Sequence, residues 1–568
     1  MKKFFQLLLS LLLLLTLASK PAFAQMSTTG LLDQQSNSNP VEMTPEERES
    51  LGDPFFNLVL KDHADVTSLS AVEDLIQPDK SRRKTFVVSE RIADPTPGQS
   101  RRAVLTYAGR NGTEQLDANV MLSVAFNSNE FPDQQDIEAW GWDSQRGRYN
   151  YYKLDRRGTG SLSWKFRGSS DNAAQLTVAQ RRGTCMQCHI NGAPVMKELL
   201  RPWNNWHSLD FQVPYLQASA VTPWLVAQDP KLDGRPDGAT NSRLDGAENL
   251  ERLVAASIKN FNQTRVSQNL QLDDSQNPVT DEEGFQTVID GKTLLKPLFA
   301  TTEFNLISAD RILSGLHPLP AITTDGPTEN VKIPNSFFLN ANLISGHRGL
   351  GYRGLGISDG QTFTGITELT PDEYKDLIIQ SEVKLGGRTG DAVFAWLVPE
   401  PSHIDNDWVD RLMRQGIVTP EFVAAVMAID LENPVLSEQR QQLLDLIPDQ
   451  FQFKPLDNGA DFLTTKRHPD ELTQQVISRL ESLNPSNNSP EGAFLEILQS
   501  SDPRAILESR VKDYRSRLEN NLDRSNPAMR QAELQRLYEL AIARRKAVLN
   551  DATLSSLNEA GNFLFPLP

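Results

Sequence analysis

The sequence predicts an α+β protein, with an antiparallel β-rich N-terminal region followed by a largely α-helical C-terminal region. Three observations carry that expectation. Between about residues 85 and 166, short runs of β-branched and aromatic residues recur, bounded by Gly, Asn and Pro. From about residue 370, apolar residues recur at helical spacing behind capping residues. Between the two regions lies a turn-rich stretch holding Asp233-Gly234, Asp237-Gly238 and Asp245-Gly246.

The chain opens with the features of a secretory signal peptide over residues 1–24. Lys2 and Lys3 form a charged start, a leucine-dominated apolar run follows, and Ala22-Phe23-Ala24 supplies a small-x-small cleavage site. The apolar run is short for a membrane span, and no later stretch is long and apolar enough to cross a bilayer. The expected product is therefore exported to the bacterial periplasm or an equivalent compartment, with no stable membrane insertion after cleavage. Cleavage removes Lys2, Lys3 and Lys20, so the formal charge goes from −16 to −19 over the remaining 544 residues. A surface so acidic disfavours nucleic acid and anionic lipid as partners and suits a basic one.

Residues 25–55 are rich in Ser, Asn, Gln and Glu and read as a polar linker, with one helical turn after Thr44-Pro45. Strands are expected at 85–88, 103–107, 120–126, 137–142, 149–154 and 161–166, the last entered through the turn residues 155–160. Six of the eight tryptophans (Trp140, Trp142, Trp164, Trp203, Trp206 and Trp224) fall between residues 140 and 224. They read either as the wall of a cofactor site or as ordinary core packing on one face of a sheet.

Immediately after these strands comes Arg181-Arg182-Gly183-Thr184-Cys185-Met186-Gln187-Cys188-His189, which holds the only two cysteines of the chain. Cys-x-x-Cys-His resembles the attachment site of c-type cytochromes, over those five residues and their surroundings. The resemblance implies one covalent haem c. Cys185 and Cys188 are close enough in sequence to reach two vinyl groups of one porphyrin, and His189 is directed at the iron as proximal ligand. Three alternatives stand beside it. A thioredoxin-like redox pair needs a strand before the motif and a βαβ context after it. A zinc site needs a second ligand pair, and none stands at finger-like spacing. A disulfide closing so short a loop is strained.

The sixth iron position decides what such a haem does. Met196 lies seven residues past His189, an awkward reach to the opposite haem face, and His207 lies eighteen residues past it, after a break at Pro202. His207 ranks first as distal ligand and Met196 second, and the reading that neither binds iron stays open. Arg181, Arg182 and Arg201 are candidate partners for haem propionates. Strands leading into a late Cys-x-x-Cys-His are also similar in order to the β-type cytochrome c′ family, where the haem lies against a sheet with one axial face open. Element order alone supports that likeness, so no cross-linking role is carried over to Lys153 or Lys165.

Residues 228–246 read as a second linker, after which Asp245 caps a helix with Leu250, Leu253, Val254 and Ile258 on one face. The run from His347 to Gly354 contains Gly-x-Gly-x-x-Gly without the following helix that a dinucleotide site needs, and reads as a glycine-rich loop. Thr370-Pro371-Asp372-Glu373 and Thr419-Pro420-Glu421 are helix starts, and 472–483 and 532–549 are amphipathic. The expected organisation is a signal peptide (1–24), a linker (25–55), a β-rich haem-binding region (56–227), a linker (228–246), a mixed α/β region (247–369) and a helical region (370–568). The first functional expectation is electron transfer by an exported monohaem cytochrome, with a redox partner protein or a small-molecule substrate. A haem-dependent oxidoreductase or peroxidase-like enzyme with an open iron site is the second, and a haem-based sensor or binding scaffold the third.

Overall fold

The computed structural model describes residues 30–35, 39–78, 82–89, 101–126, 137–154, 162–173, 176–181, 184–187, 189, 192–194, 244–300, 304–307, 330–334, 355, 366–373, 398–401, 403–433, 437–457, 459–464 and 470–550. The signal peptide, the turn at 155–160, the glycine-rich loop at 349–354 and most of the linker at 228–246 lie outside the described residues.

The N-terminal region is organised on one eight-stranded sheet. Its strands are β1 (Leu32–Asp33), β2 (Val41–Glu42), β3 (Lys84–Ser89), β4 (Arg101–Thr106), β5 (Val120–Phe126), β6 (Ile137–Asp143), β7 (Arg148–Leu154) and β8 (Trp164–Ser169). Their order is β2-β1-β8-β7-β6-β5-β4-β3. Strands β3 to β8 form the antiparallel meander that the alternating residues predict, and only β1 runs parallel to its neighbour β8. A bulge between Phe166 and Gly168 interrupts the β7–β8 register, and Gly168 takes the left-handed backbone it requires (φ +109°).

Side-chain alternation gives the sheet two buried faces. On one, Ile137, Ala139, Tyr152, Leu154, Trp164 and Phe166 pack against a π-helical turn (Phe56–Leu60) and α2 (Leu69–Ile76). The linker expected at 25–55 is corrected here: its described part is built into this layer. Strands β1 and β2 extend the sheet, and α1 (Pro45–Glu49) starts with a reciprocal Thr44–Glu47 capping box. Leu51 and Phe55 are core residues, and Asp53 is buried, accepting from Asn150 Nδ2 (2.8 Å) and the Tyr152 hydroxyl. The polar residues of this stretch are real, but Leu31, Met43, Leu51 and Phe55 set among them are enough to dock it.

The opposite face holds Phe86, Met121, Trp140, Trp142, Tyr149 and Tyr151. It is covered by Cys185, Met186 and Ala193 and by α3 (Ala247–Gln268), through Leu250, Val254, Ile258 and Phe261. The helix expected after the second linker is present, but Gly246, not Asp245, is its N-cap; Asp245 Oδ1 accepts from the Gly246 N–H and Asn249 Nδ2. Residues 244 and 245 lie on the sheet: Leu244 bridges Thr85, and the Asp245 N–H donates to the Thr85 carbonyl (2.8 Å). The same helix carries Val266 into the C-terminal core, so packing is continuous across the expected boundary.

That second core gathers α4 (Gly291–Phe299), α5 (His403–Gln415), α6 (Pro420–Met427), α7 (Glu471–Leu483), α8 (Pro490–Gln499) and α9 (Pro503–Asn521), with α10 (Pro527–Asn550) beyond them. Trp408, Leu412 and Met413 share its interior, and Trp408 Nε1 donates to the Leu294 carbonyl (2.8 Å). Thr419 caps α6, and the Thr370–Glu373 hydrogen bonds match the predicted cap. Short antiparallel pairs join 286–288 to 451–453, 304–307 to 398–401 and 331–334 to 366–369. The mixed and helical regions of the expectation thus share one core. Among the described residues no helix is long and apolar enough to cross a membrane.

Candidate functional site

Leaving β8, the chain makes two short helical segments, Ser170–Ala173 and Val178–Arg181, and enters the motif as a 3-10 turn over Cys185–Gln187. The Thr184 hydroxyl fixes that entry, donating to the Arg181 carbonyl (2.6 Å) and accepting from the Met186 N–H (3.2 Å). Met186 is fully buried against the sheet, whereas Cys185 is part-exposed. The turn continues as the His189 N–H donates to the Cys185 carbonyl (2.9 Å) and the Gly192 N–H to the His189 carbonyl (2.8 Å). Successive turns of this kind put the Cys185 and His189 backbones on one compact unit.

His189 is the informative residue. Its Nδ1 lies 2.7 Å from the Ala193 carbonyl oxygen. A carbonyl only accepts, so Nδ1 carries the proton and Nε2 keeps its lone pair for a metal. Desolvation pulls the imidazole down to about 4, against which the Ala193 bond and Glu138 pull upward, so the ring is neutral near pH 7. Its ring stands 4.8 Å from that of Tyr151, tilted by 42°. The Tyr151 hydroxyl lies 2.7 Å from the Gly192 carbonyl and 2.9 Å from that of Ala193. Gly192 has a left-handed backbone (φ +70°), and a Cβ there would stand 2.5 Å from Ser170 Cα. Only glycine lets this turn close onto the sheet.

Next to this unit on the same sheet face is a charged group. Glu138 pairs with Arg102 and, at 3.5 Å, with Lys153, its cross-strand neighbour. Burial pushes its carboxyl up, but the two cations outweigh that and hold it at about 2. The sheet face therefore passes from aromatic (Trp140, Trp142, Tyr149, Tyr151) to ionic (Arg102, Glu138, Lys153) along the strands.

The other sequence-predicted residues divide clearly. Cys188, Met196, His207, Arg182, Arg201, Trp203, Trp206 and Trp224 lie outside the described residues. Trp140 and Trp142 are on the motif's face, where Trp140 meets Tyr149 edge-on (5.0 Å) and Trp142 lies tilted against it (4.7 Å), under α3. Trp164 is on the opposite face, edge-on to Phe55 and donating to the Val66 carbonyl (2.8 Å). Of the two readings left open for the tryptophans, core packing describes the contacts of these three, and Trp164 does not share a face with the motif. Arg181 is buried, with Nη2 donating to the Ala173 carbonyl (2.9 Å), so it braces the segment instead of offering its charge outward. Tyr151, Gly192 and the Ala193 carbonyl were not singled out in sequence; the Asn191-Gly192 turn dipeptide was the one signal there.

The unit fits haem c at its proximal side, since an iron ligand must be a neutral imidazole whose other nitrogen is engaged. The thioredoxin alternative fits poorly, because a helical turn and not a strand precedes the motif and the sheet is an antiparallel meander. Among the described residues no group of three or more His, Cys, Asp or Glu gathers as a zinc cage would. Compared with known proteins, the chain matches no family model, no curated protein and no solved structure.

Proposed function

We propose that the protein is an exported monohaem c-type cytochrome that transfers electrons. One observation carries the reading: Cys185-x-x-Cys188-His189 coincides with an imidazole whose Nδ1 is already committed to the Ala193 carbonyl. Cys185 and Cys188 would hold haem c by thioethers and His189 its iron; when bound, the group supplies a one-electron iron couple. The chain's own contribution is to keep His189 neutral by desolvation, to fix its tautomer through Ala193, and to hold its plane against Tyr151. His207 is the first candidate for the sixth ligand and Met196 the second. The leader at 1–24 supports the periplasm or an equivalent compartment, and the net charge of −19 after its removal favours a basic redox partner.

The extent of the second core favours one further reading, a haem-dependent oxidoreductase or peroxidase-like enzyme with an open iron position, since electron transfer alone needs only a small domain. The visible spectrum of the exported product separates the two, with a haem stain on a denaturing gel and an intact mass beside it. A low-spin, six-coordinate iron that ignores carbon monoxide supports transfer; a high-spin iron that binds it supports the enzyme. A colourless product without the added mass of the macrocycle overturns both.

A further inference from the structure

Tyr151 lies on β7, between β6 and β8 in the interior of the sheet, and is 1% exposed. It touches the motif in two ways. Its ring faces the His189 imidazole at 4.8 Å, and its hydroxyl reaches the Gly192 and Ala193 carbonyl oxygens at 2.7 and 2.9 Å. The Ala193 oxygen also takes His189 Nδ1 at 2.7 Å, so one carbonyl stands between two donors. The other side of the turn is closed by the approach of Gly192 to the Ser170 backbone. A phenol on a rigid strand thus holds both the face of the imidazole and the acceptor that sets its tautomer.

Resting on the cytochrome reading, we infer that Tyr151 is the positioning residue of the iron-binding imidazole and that its hydroxyl raises the haem's midpoint potential by competing with His189 for the Ala193 carbonyl. An oxygen that accepts a hydrogen bond from the phenol has less electron density to offer Nδ1–H. The imidazole then keeps less anionic character and donates less to the metal, which disfavours the ferric state relative to the ferrous. Tyr152, the next residue, points to the opposite face and binds Asp53, so it supplies an internal control.

The test is a potentiometric titration of the full-length holoprotein. Tyr151→Phe keeps the ring against His189 and removes the hydroxyl; its midpoint potential shifts below wild type at unchanged haem content, while Tyr152→Phe stays at the wild-type value. Difluorotyrosine placed at position 151, a stronger donor of the same shape, moves the potential the other way and covers the case in which Tyr151→Phe does not fold. A Tyr151→Phe potential equal to wild type, a matching shift in Tyr152→Phe, or a difluorotyrosine shift of the wrong sign overturns the inference. If the wild type carries haem and the potentials do not move, only this inference falls; a wild type without haem removes the cytochrome reading with it.

Discussion

One face of the eight-stranded sheet is closed by segments that precede most of it in the chain, the other by segments that follow it. Residues 43–76 cover the first, seating Phe55, Val59, Val72 and Ile76 against Tyr152, Trp164 and Phe166. The motif and α3 cover the second, and there the interior is divided between aromatic packing and the Arg102–Glu138–Lys153 group. Polar groups are buried on both sides. Asp53 is sunk in the first face and satisfied by Tyr152, Asn150 and the Phe56 N–H. Burial pushes its carboxyl up, more than those bonds lower it. On the second face the charges are paired and His189 is kept neutral. The first layer also buries the Arg83–Glu73 pair (2.8 Å), so what sets the second face apart is the neutral imidazole and the donors and acceptors oriented around it.

Substitutions on the two faces sharpen that contrast. The largest effect belongs to Trp164→Ala, which removes a fully buried ring and its bond to Val66; it costs about 3–5 kcal/mol in urea unfolding. A loss under about 1 kcal/mol would show that the first face repacks freely around the missing ring. Gly192→Ala comes next, at about 1–2 kcal/mol for a Cβ in left-handed backbone, with the Ser170 approach added. On the proposed cytochrome reading, its signature is a lower covalent haem content in the protein that still folds; an unchanged haem content would break the assignment of this turn to the site.

The smallest effect is a pH dependence. The folded pKa of Glu138, about 2, lies below its ordinary value of 4.5, so its contribution is complete above about pH 4.5 and is lost as pH falls through 2. Glu138 is part-exposed, and solvent screening leaves about 1 kcal/mol of that contribution. Glu138→Gln therefore lowers stability at pH 6 by about 1 kcal/mol and flattens the acid limb of the unfolding curve. Parallel curves for the two proteins between pH 2 and 5 would remove Glu138 from the electrostatics of this face.

How much of this was legible in sequence depends on the range of the interaction. The six meander strands follow from alternation, and α1, α6 and the 370–373 turn from Thr-Pro caps, because both signals are local. Strands β1 and β2 were hidden, since two-residue strands carry no period and β1, on which β2 pairs, joins β8 across more than a hundred residues. Which tryptophans share a face with the motif was also hidden. Trp142 and Trp164 look alike in sequence and end on opposite sides of the sheet.

From the residues alone came the antiparallel meander, the helical C-terminal half and the Cys-x-x-Cys-His segment that nominates Cys185, Cys188 and His189. Only tertiary structure decided that residues 30–35 and 39–55 belong to the sheet layer, that α3 serves both cores, and that Tyr151, Gly192 and Ala193 lie beside the imidazole. The physical reason is the same each time. Local patterns specify a backbone's period, but which side chains meet depends on sheet register and on contacts closed across tens of residues.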